Sequence, residues 1–105
     1  MATIRYNKLV RDRIPEIIEA GGKTCLCETL DDAGYLRMLD AKLNEELAEY
    51  QADQSLEELA DLVEVIRAVA VARGSSFEEI EKIRTEKAAK RGGFEKKLLL
   101  KEVRG

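Results

Sequence analysis

Apolar residues recur at helical spacing through the middle of the chain. When successive residues are placed about 100 degrees apart, five side chains of residues 33–53 fall on one face: Leu36, Leu39, Leu43, Leu47 and Tyr50. Residues 55–73 carry a wider apolar face that is rich in leucine and valine. The pattern therefore predicts two long helices joined by a short turn.

Capping residues support both helices and set their limits. The sequence Ser55-Leu-Glu-Glu58 has the form of a capping box, in which serine and glutamate side chains satisfy two free backbone amides at a helix start. Gly74 lies where the second helix should end. The other predicted helix starts are Asp31 or Asp32 and Ser75 or Ser76.

Shorter elements are predicted towards both ends of the chain. Pro15 suits the first turn of a short helix over residues 11–20, and a fourth helix is predicted over residues 76–90. Residues 23–30 and 94–103 are candidate strands that could pair with each other. The fold class we expect is mainly α, a bundle of about four helices with a small β pair.

The composition of the 105 residues narrows the chemistry. One domain over residues 1–105 is expected at this length. Histidine is absent, which excludes a Ser-His-Asp triad, a Cys-His pair and His-ligated zinc. Cys25 and Cys27 are expected to be reduced thiols, because a disulfide across a single residue is strained. No apolar run approaches the roughly 18 residues of a membrane span and no signal-peptide core is present, so we expect a cytoplasmic protein without a membrane partner.

The net charge of −3 hides two oppositely charged segments. Residues 31–64 carry eleven acidic and two basic side chains, whereas residues 82–104 carry nine basic and three acidic ones. Two interpretations stay open: a site where acids hold cations and bases hold an anion, or helices that neutralise one another. Nucleic acid is not an expected partner, because the pI is about 5.1 and nucleic-acid-binding domains usually exceed about 9.

Four carboxylates lie on or beside the faces that the two long helices should bury. Glu46 lies at the edge of the apolar face of the first helix, with Glu49 one step further round. Glu58 falls inside the apolar face of the second helix and Asp61 at its edge. Because buried carboxylates are unfavourable unless they are paired or bound to metal, these oxygens indicate a hard cation such as Mg²⁺ or Mn²⁺. The alternative is a hydrated helix surface with partners one turn away.

These residues carry a resemblance to a known superfamily. Glu45-Glu46-Leu-Ala-Glu49 followed by Glu58-Leu-Ala-Asp61 resembles the EExxE…ExxD signature of the MazG-like all-α nucleoside triphosphate pyrophosphohydrolases. The opening YNKLVRDRIPEII, the segment EELADLVEVI and the late KAAKRGGFEKKLLL resemble its phosphoribosyl-ATP pyrophosphohydrolase-like branch. The resemblance spans nearly the whole chain.

The resemblance implies a reaction and a metal site. Members of the superfamily cleave a nucleoside triphosphate between the α and β phosphates and release the monophosphate and pyrophosphate. By the motif, Mg²⁺ would be bound by Glu46, Glu49, Glu58 and Asp61. Glu45 would be an outer ligand or would orient the attacking water, so Glu45 and Glu46 are the catalytic candidates. Such chemistry requires no histidine and no covalent nucleophile.

Basic residues near both ends are the candidate contacts for the triphosphate. Lys87 and Arg91 lie one turn apart near the end of the fourth predicted helix, where the helix dipole also favours bases whatever their function. Lys8 and Arg11 could contact phosphate or could pair with a neighbouring acid.

The leading expectation is therefore a Mg²⁺-dependent nucleotide pyrophosphohydrolase, whose bundle is completed by a second copy in a homodimer or homotetramer. Two alternatives remain. One is a nucleotide- or metal-binding regulatory module without turnover, and the other is a purely structural helical dimer. The identity of the nucleotide is not specified by the sequence, since fold does not fix function.

Overall fold

The computed structural model describes residues 2–105, and four α-helices are the regular elements of that range. They are α1 (Ile14–Ala20), α2 (Asp32–Asp53), α3 (Leu56–Ala72) and α4 (Phe77–Arg91). The mainly α fold is confirmed, and the limits of α2, α3 and α4 agree with the sequence to within one residue. Helix α1 begins at Ile14, three residues later than predicted, so that Pro15 lies in its first turn, where the N–H that proline lacks would have no partner within the helix.

The three longer helices each begin with a side-chain cap. Asp31 Oδ1 accepts a hydrogen bond from the backbone N–H of Gly34 at 2.7 Å, and Ser55 and Ser76 cap α3 and α4. Ser55 Oγ accepts from the backbone N–H of Glu58 at 3.3 Å. The carboxylate of Glu58 does not complete the capping box, since its oxygens lie in an acidic cluster with residues of α2. Ser55 therefore caps the helix as the predicted box requires, whereas the Glu58 side chain belongs to the acidic cluster.

Helices α2 and α3 pack against each other as an antiparallel hairpin. Gln54, in the left-handed region at φ 58°, and Ser55 are the only residues between the two helices. Leu39, Val65 and Ala70 are the buried apolar residues of this part of the structure. The short connection places the carboxyl-terminal half of α2 beside the first turns of α3, which brings the acidic motifs of both helices together.

The predicted β pair is absent between residues 2 and 105. Residues 23–30 and 94–103 form neither a strand nor a helix. A β-ladder needs a second strand about 4.8 Å away, and most side chains of both segments are instead exposed to solvent. Leu26 is 99% exposed and Leu98 is 85% exposed. The residue pattern of these segments was thus not sufficient to give a sheet.

The chain is elongated, with a radius of gyration of 18.7 Å, compared with about 13 Å for a compact domain of about 100 residues. Helix α4 packs only against α3 among the helices, and several large apolar side chains are exposed at its end and beyond, including Phe94, Leu99 and Leu100. No helix in the described part of the chain is both long and apolar enough to cross a membrane.

The Ser55 cap should contribute measurably to stability. Replacement by alanine leaves the Glu58 N–H without its acceptor, so we expect Ser55→Ala to lower the free energy of unfolding by about 1 kcal/mol. Urea denaturation followed by circular dichroism measures the change. Ser75→Ala is the matched control, because the exposed Ser75 lies outside both helices and makes no cap. Equal stability of the two variants would contradict the capping role.

Candidate metal centre

Three carboxylates from two helices meet on one side of the hairpin. Glu46 comes from α2, and Glu58 and Asp61 come from the first turns of α3. Each contributes one oxygen to a group in which all the oxygens lie within 4.8 Å of one another. These distances would allow a single cation to contact all three side chains. The structure thus brings together three of the four metal ligands that the sequence predicted.

Glu46 is the most deeply buried member of the cluster, with only 6% of the residue exposed. Its Oε1 lies 3.3 Å from Nζ of Lys42, one turn earlier on α2. Its Oε2 is buried and has no hydrogen-bond partner within residues 2–105. A buried carboxylate oxygen without a donor is unfavourable by more than a neutral group would be, so this oxygen is well suited to bind a cation.

Glu58, on α3, has a similarly unpartnered oxygen. Its Oε2 is also buried without a hydrogen-bond partner among the described residues, and none of the ion pairs of that range involves it. Asp61 is more accessible, with 43% of its side chain exposed, and its Oδ1 accepts a hydrogen bond from Nη2 of Arg11 at 2.8 Å. Two buried unpaired oxygens therefore lie beside one exposed and paired carboxylate.

The electrostatics of the cluster favour either protonation or a bound cation. Burial raises the pKa of Glu46, and the charges of Glu49 and Asp61 raise it further, whereas Lys42 lowers it. Burial also raises the pKa of Glu58, followed by the charges of Glu49 and Asp61. No basic group offsets the shift at Glu58. Clustered carboxylates repel one another in this way unless a cation lies between them.

Glu45 and Glu49 lie outside the cluster of three but close to it. Glu45 Oε1 is 3.5 Å from Lys8 Nζ and 3.4 Å from Lys42 Nζ. Glu49 is exposed, and its negative charge raises the pKa of both Glu46 and Glu58. The structure does not bring a Glu49 oxygen into the close group, so its role as a metal ligand stays a prediction.

The basic candidates divide into two groups. Lys8 and Arg11, from the segment before α1, pair with Glu45 and Asp61 at the site. Lys87 and Arg91 are exposed on the last turns of α4, and no ion pair in residues 2–105 joins either of them to the cluster. The structure therefore does not bring these two predicted substrate contacts to the cluster, and their role stays a prediction.

Sequence reasoning did not assign Lys42 to the site. Its Nζ lies between the carboxylates of Glu45 and Glu46, and only 19% of its side chain is exposed. The sequence spacing could have indicated this contact, because Lys42 precedes Glu45 and Glu46 by three and four positions, and residues so spaced share one helix face. Lys42 is one of only two bases in residues 31–64, so it is the main local counter-charge for α2.

Comparisons with known proteins add little to this description. No protein-family profile matches the chain, and no solved structure matches it. A stretch of 45 residues is 58% identical to an uncharacterised protein of Mycolicibacterium smegmatis. The match covers 43% of this chain and 46% of that protein, so the chain aligns with less than half the length of this relative.

The raised pKa values predict the pH dependence of stability without metal. Since the folded-state pKa of Glu58 exceeds the unfolded-state value, the folded chain binds more protons between the two. The contribution of Glu58 to stability is fully present below the unfolded pKa and is lost as pH rises through the folded pKa. In EDTA we expect Glu58→Gln to exceed wild type in urea midpoint at pH 8, with the difference disappearing towards pH 4.

Glu57→Gln is the matched control for this comparison. It removes a neighbouring charge from the exposed surface of the same helix turn, where a negative charge near the helix N-terminus is mildly stabilising. The control should therefore be no more stable than wild type at pH 8. A Glu58→Gln variant less stable than wild type at that pH would contradict the electrostatic account of the cluster.

Divalent cations should stabilise the folded chain through the same residues. At a concentration about 100 times the dissociation constant, a ligand specific for the folded state adds about 2.7 kcal/mol. We expect Mn²⁺ or Mg²⁺ to raise the melting temperature of wild type, and Glu46→Gln or Asp61→Asn to abolish most of that increase. Differential scanning calorimetry at pH 7.5 measures it, with Glu64→Gln as the exposed control on α3. An equal increase in all variants would place the metal elsewhere.

Proposed function

We propose that this chain is a divalent-cation-dependent nucleoside triphosphate pyrophosphohydrolase. It would cleave between the α and β phosphates and release a nucleoside monophosphate and pyrophosphate. The observation that carries the proposal is the pair of buried carboxylate oxygens on Glu46 and Glu58 that no donor in residues 2–105 reaches. The motif around these residues, which resembles that of the MazG-like enzymes, supports the choice of reaction. The oxygen-rich donor set supports the choice of Mg²⁺, with Mn²⁺ as a substitute.

Glu46, Glu58 and Asp61 are the residues that would hold the ion, and Glu49 is a candidate further ligand. When bound, such an ion offsets charge on the triphosphate and lowers the pKa of the attacking water. The cluster itself contributes preorganisation, because Glu46 is buried and Glu58 is half-buried within a tightly connected hairpin. Neither α2 nor α3 needs to rearrange for their side chains to act together.

Glu45 is the candidate for orienting the attacking water and accepting its proton. Its carboxylate adjoins the cluster and is held by Lys8 and Lys42 at 3.5 and 3.4 Å. A carboxylate within hydrogen-bond reach of water is a competent general base. The two lysines fix where this group lies, so Lys42 acts as a positioning residue for both Glu45 and Glu46.

Cationic side chains beside the acids suit the anionic substrate. Lys8 and Arg11 lie next to the cluster and are 45% and 60% exposed, so they remain accessible to a triphosphate. Guanidinium and ammonium groups bind phosphate oxygens through charge-assisted hydrogen bonds. Lys87 and Arg91 are proposed as further phosphate contacts from the end of α4.

The proposal also includes the assembly and location of the enzyme. Exposed apolar side chains such as Leu56, Val71 and Leu99 support a MazG-like bundle completed by a second copy in a homodimer or homotetramer. We place the protein in the cytoplasm, in accordance with a nucleotide substrate. Clearing of unwanted nucleotides is the physiological role that best fits this reaction.

Pyrophosphate release tests the proposed reaction directly. All ribo- and deoxynucleoside triphosphates are screened with Mg²⁺ or Mn²⁺, and chromatography identifies the nucleotide product. We expect monophosphate and pyrophosphate from at least one substrate, and a loss of more than about 100-fold in Glu46→Gln and Asp61→Asn. The magnitude follows because removing even an outer-shell partner of a metal ligand typically lowers activity or metal affinity 10- to 100-fold.

The same screen separates the alternatives. Glu64→Gln, on the exposed side of α3, is the control and should retain wild-type activity. Stabilisation by metal without any product would indicate a binding or regulatory module. Absence of both product and metal-dependent stabilisation would indicate a structural helical protein. Full activity in either ligand variant would contradict the assignment of the metal site.

A further inference from the structure

The segment before α1 is attached to the acidic site by two ion pairs. Residues 2–13 contain no helix or strand. Arg11 Nη2 lies 2.8 Å from Asp61 Oδ1 on α3, and Lys8 Nζ lies 3.5 Å from Glu45 Oε1 on α2. Two residues of one segment, Lys8 and Arg11, thus connect it to the two helices that form the cluster.

Arg11 and a cation in the cluster would require the same negative charge. Asp61 supplies one of the three mutually close oxygens, and it is also the partner of Arg11. The cluster has a second feature that indicates a cation site, because Glu46 is 6% exposed and its Oε2 has no partner in the described range. A guanidinium and a divalent ion at one carboxylate repel each other strongly at such short range.

The Arg11–Asp61 pair is also weak enough to be displaced. The two side chains are 60% and 43% exposed, and exposed ion pairs contribute little to stability because water and salt screen them. Glu46 and Glu58 are less free to move, since Glu46 is buried and Glu58 is half-buried between the two helices. Of the two bases that pair with members of the cluster, Arg11 and Lys42, Arg11 is the more exposed and can therefore leave at lower cost.

We propose that Arg11 is a displaceable counter-ion of Asp61, so that a divalent cation entering the cluster releases Arg11 from α3. The freed guanidinium then stays beside the site, on a segment still tethered through Lys8. Metal binding is thereby coupled to exposure of a cation suited to phosphate oxygens, which favours binding of the metal before the anionic substrate. The inference rests on the metal site of the proposed function, and not on hydrolysis.

The affinity for metal tests this competition. Mn²⁺ alone is titrated into the full chain by isothermal calorimetry, for wild type, Arg11→Gln and Arg13→Gln. Because wild type must break the ion pair before binding, we expect Arg11→Gln to lower the Kd by roughly 1.4- to 5-fold, the range of an exposed pair. Arg13→Gln removes the same charge two residues away, but Arg13 pairs with Glu16 at 2.6 Å, so its Kd should equal that of wild type.

A second readout follows Arg11 itself in the wild-type chain. The side-chain Nε–Hε nuclear magnetic resonance signal of Arg11, assigned from its absence in Arg11→Gln, should move towards the value of a free guanidinium as Mg²⁺ is added. The Arg13 signal should stay in place. An unchanged or higher Kd in Arg11→Gln would overturn the inference, and so would an Arg11 signal that does not move at saturating Mg²⁺. Either result would leave the proposed function standing.

The remaining outcomes separate the two proposals. No binding of Mn²⁺ to wild type would overturn both. Tighter binding in Arg11→Gln together with no pyrophosphate release would support the competition while contradicting the hydrolase.

Discussion

The α2–α3 hairpin buries one carboxylate oxygen of Glu46 and one of Glu58, and no donor in residues 2–105 reaches either of them. Their burial follows from the helical repeat, which places both acids at the faces where leucine and valine pack. Burial raises the pKa of both groups, and neighbouring acids raise it further. The hairpin therefore gathers mutually repelling carboxylates near its turn, and a proton or a cation would relieve that repulsion.

The surrounding bases relieve this repulsion only in part. Lys42 neutralises one oxygen of Glu46 and also contacts Glu45, and Arg11 pairs with Asp61 at the exposed rim. Nothing comparable reaches Glu58 from the part of the chain that the structure describes. The buried Oε2 atoms of Glu46 and Glu58 thus have no partner among the described residues, while the accessible charge is held by side chains that can exchange partners.

Helices α2 and α3 pack closely, whereas the other helices of the described chain make few contacts with them. Helix α1 packs against no other helix of residues 2–105, α4 contacts only α3, and the segments before α1 and after α4 expose large apolar side chains. Those surfaces agree with the proposed completion of the bundle by a second copy. The motif resemblance and the buried acidic cluster support one another, because the first names a reaction and the second supplies a donor set suited to it.

The sequence by itself determined the local elements and the residue types of the site. Helical periodicity and the caps at Asp31, Ser55 and Ser76 set the helix limits, because these signals depend on neighbours within one turn. The same periodicity placed Glu46 and Glu58 on buried faces. The sequence also restricted the chemistry, since a chain without histidine must use carboxylates, cations, hydroxyls or a bound metal.

Only the tertiary structure decided which of those groups meet. Residues 23–30 and 94–103 form no ladder, because a strand is stable only when a second strand lies beside it, and the packing of the helices in residues 2–105 does not bring the two segments together. The packing of α2 on α3 gathers Glu46, Glu58 and Asp61 but leaves Glu49 outside the close group. Likewise, Arg11 reaches Asp61 across 50 residues of sequence, a pairing that depends on the path of the chain before α1, which no periodic pattern encodes.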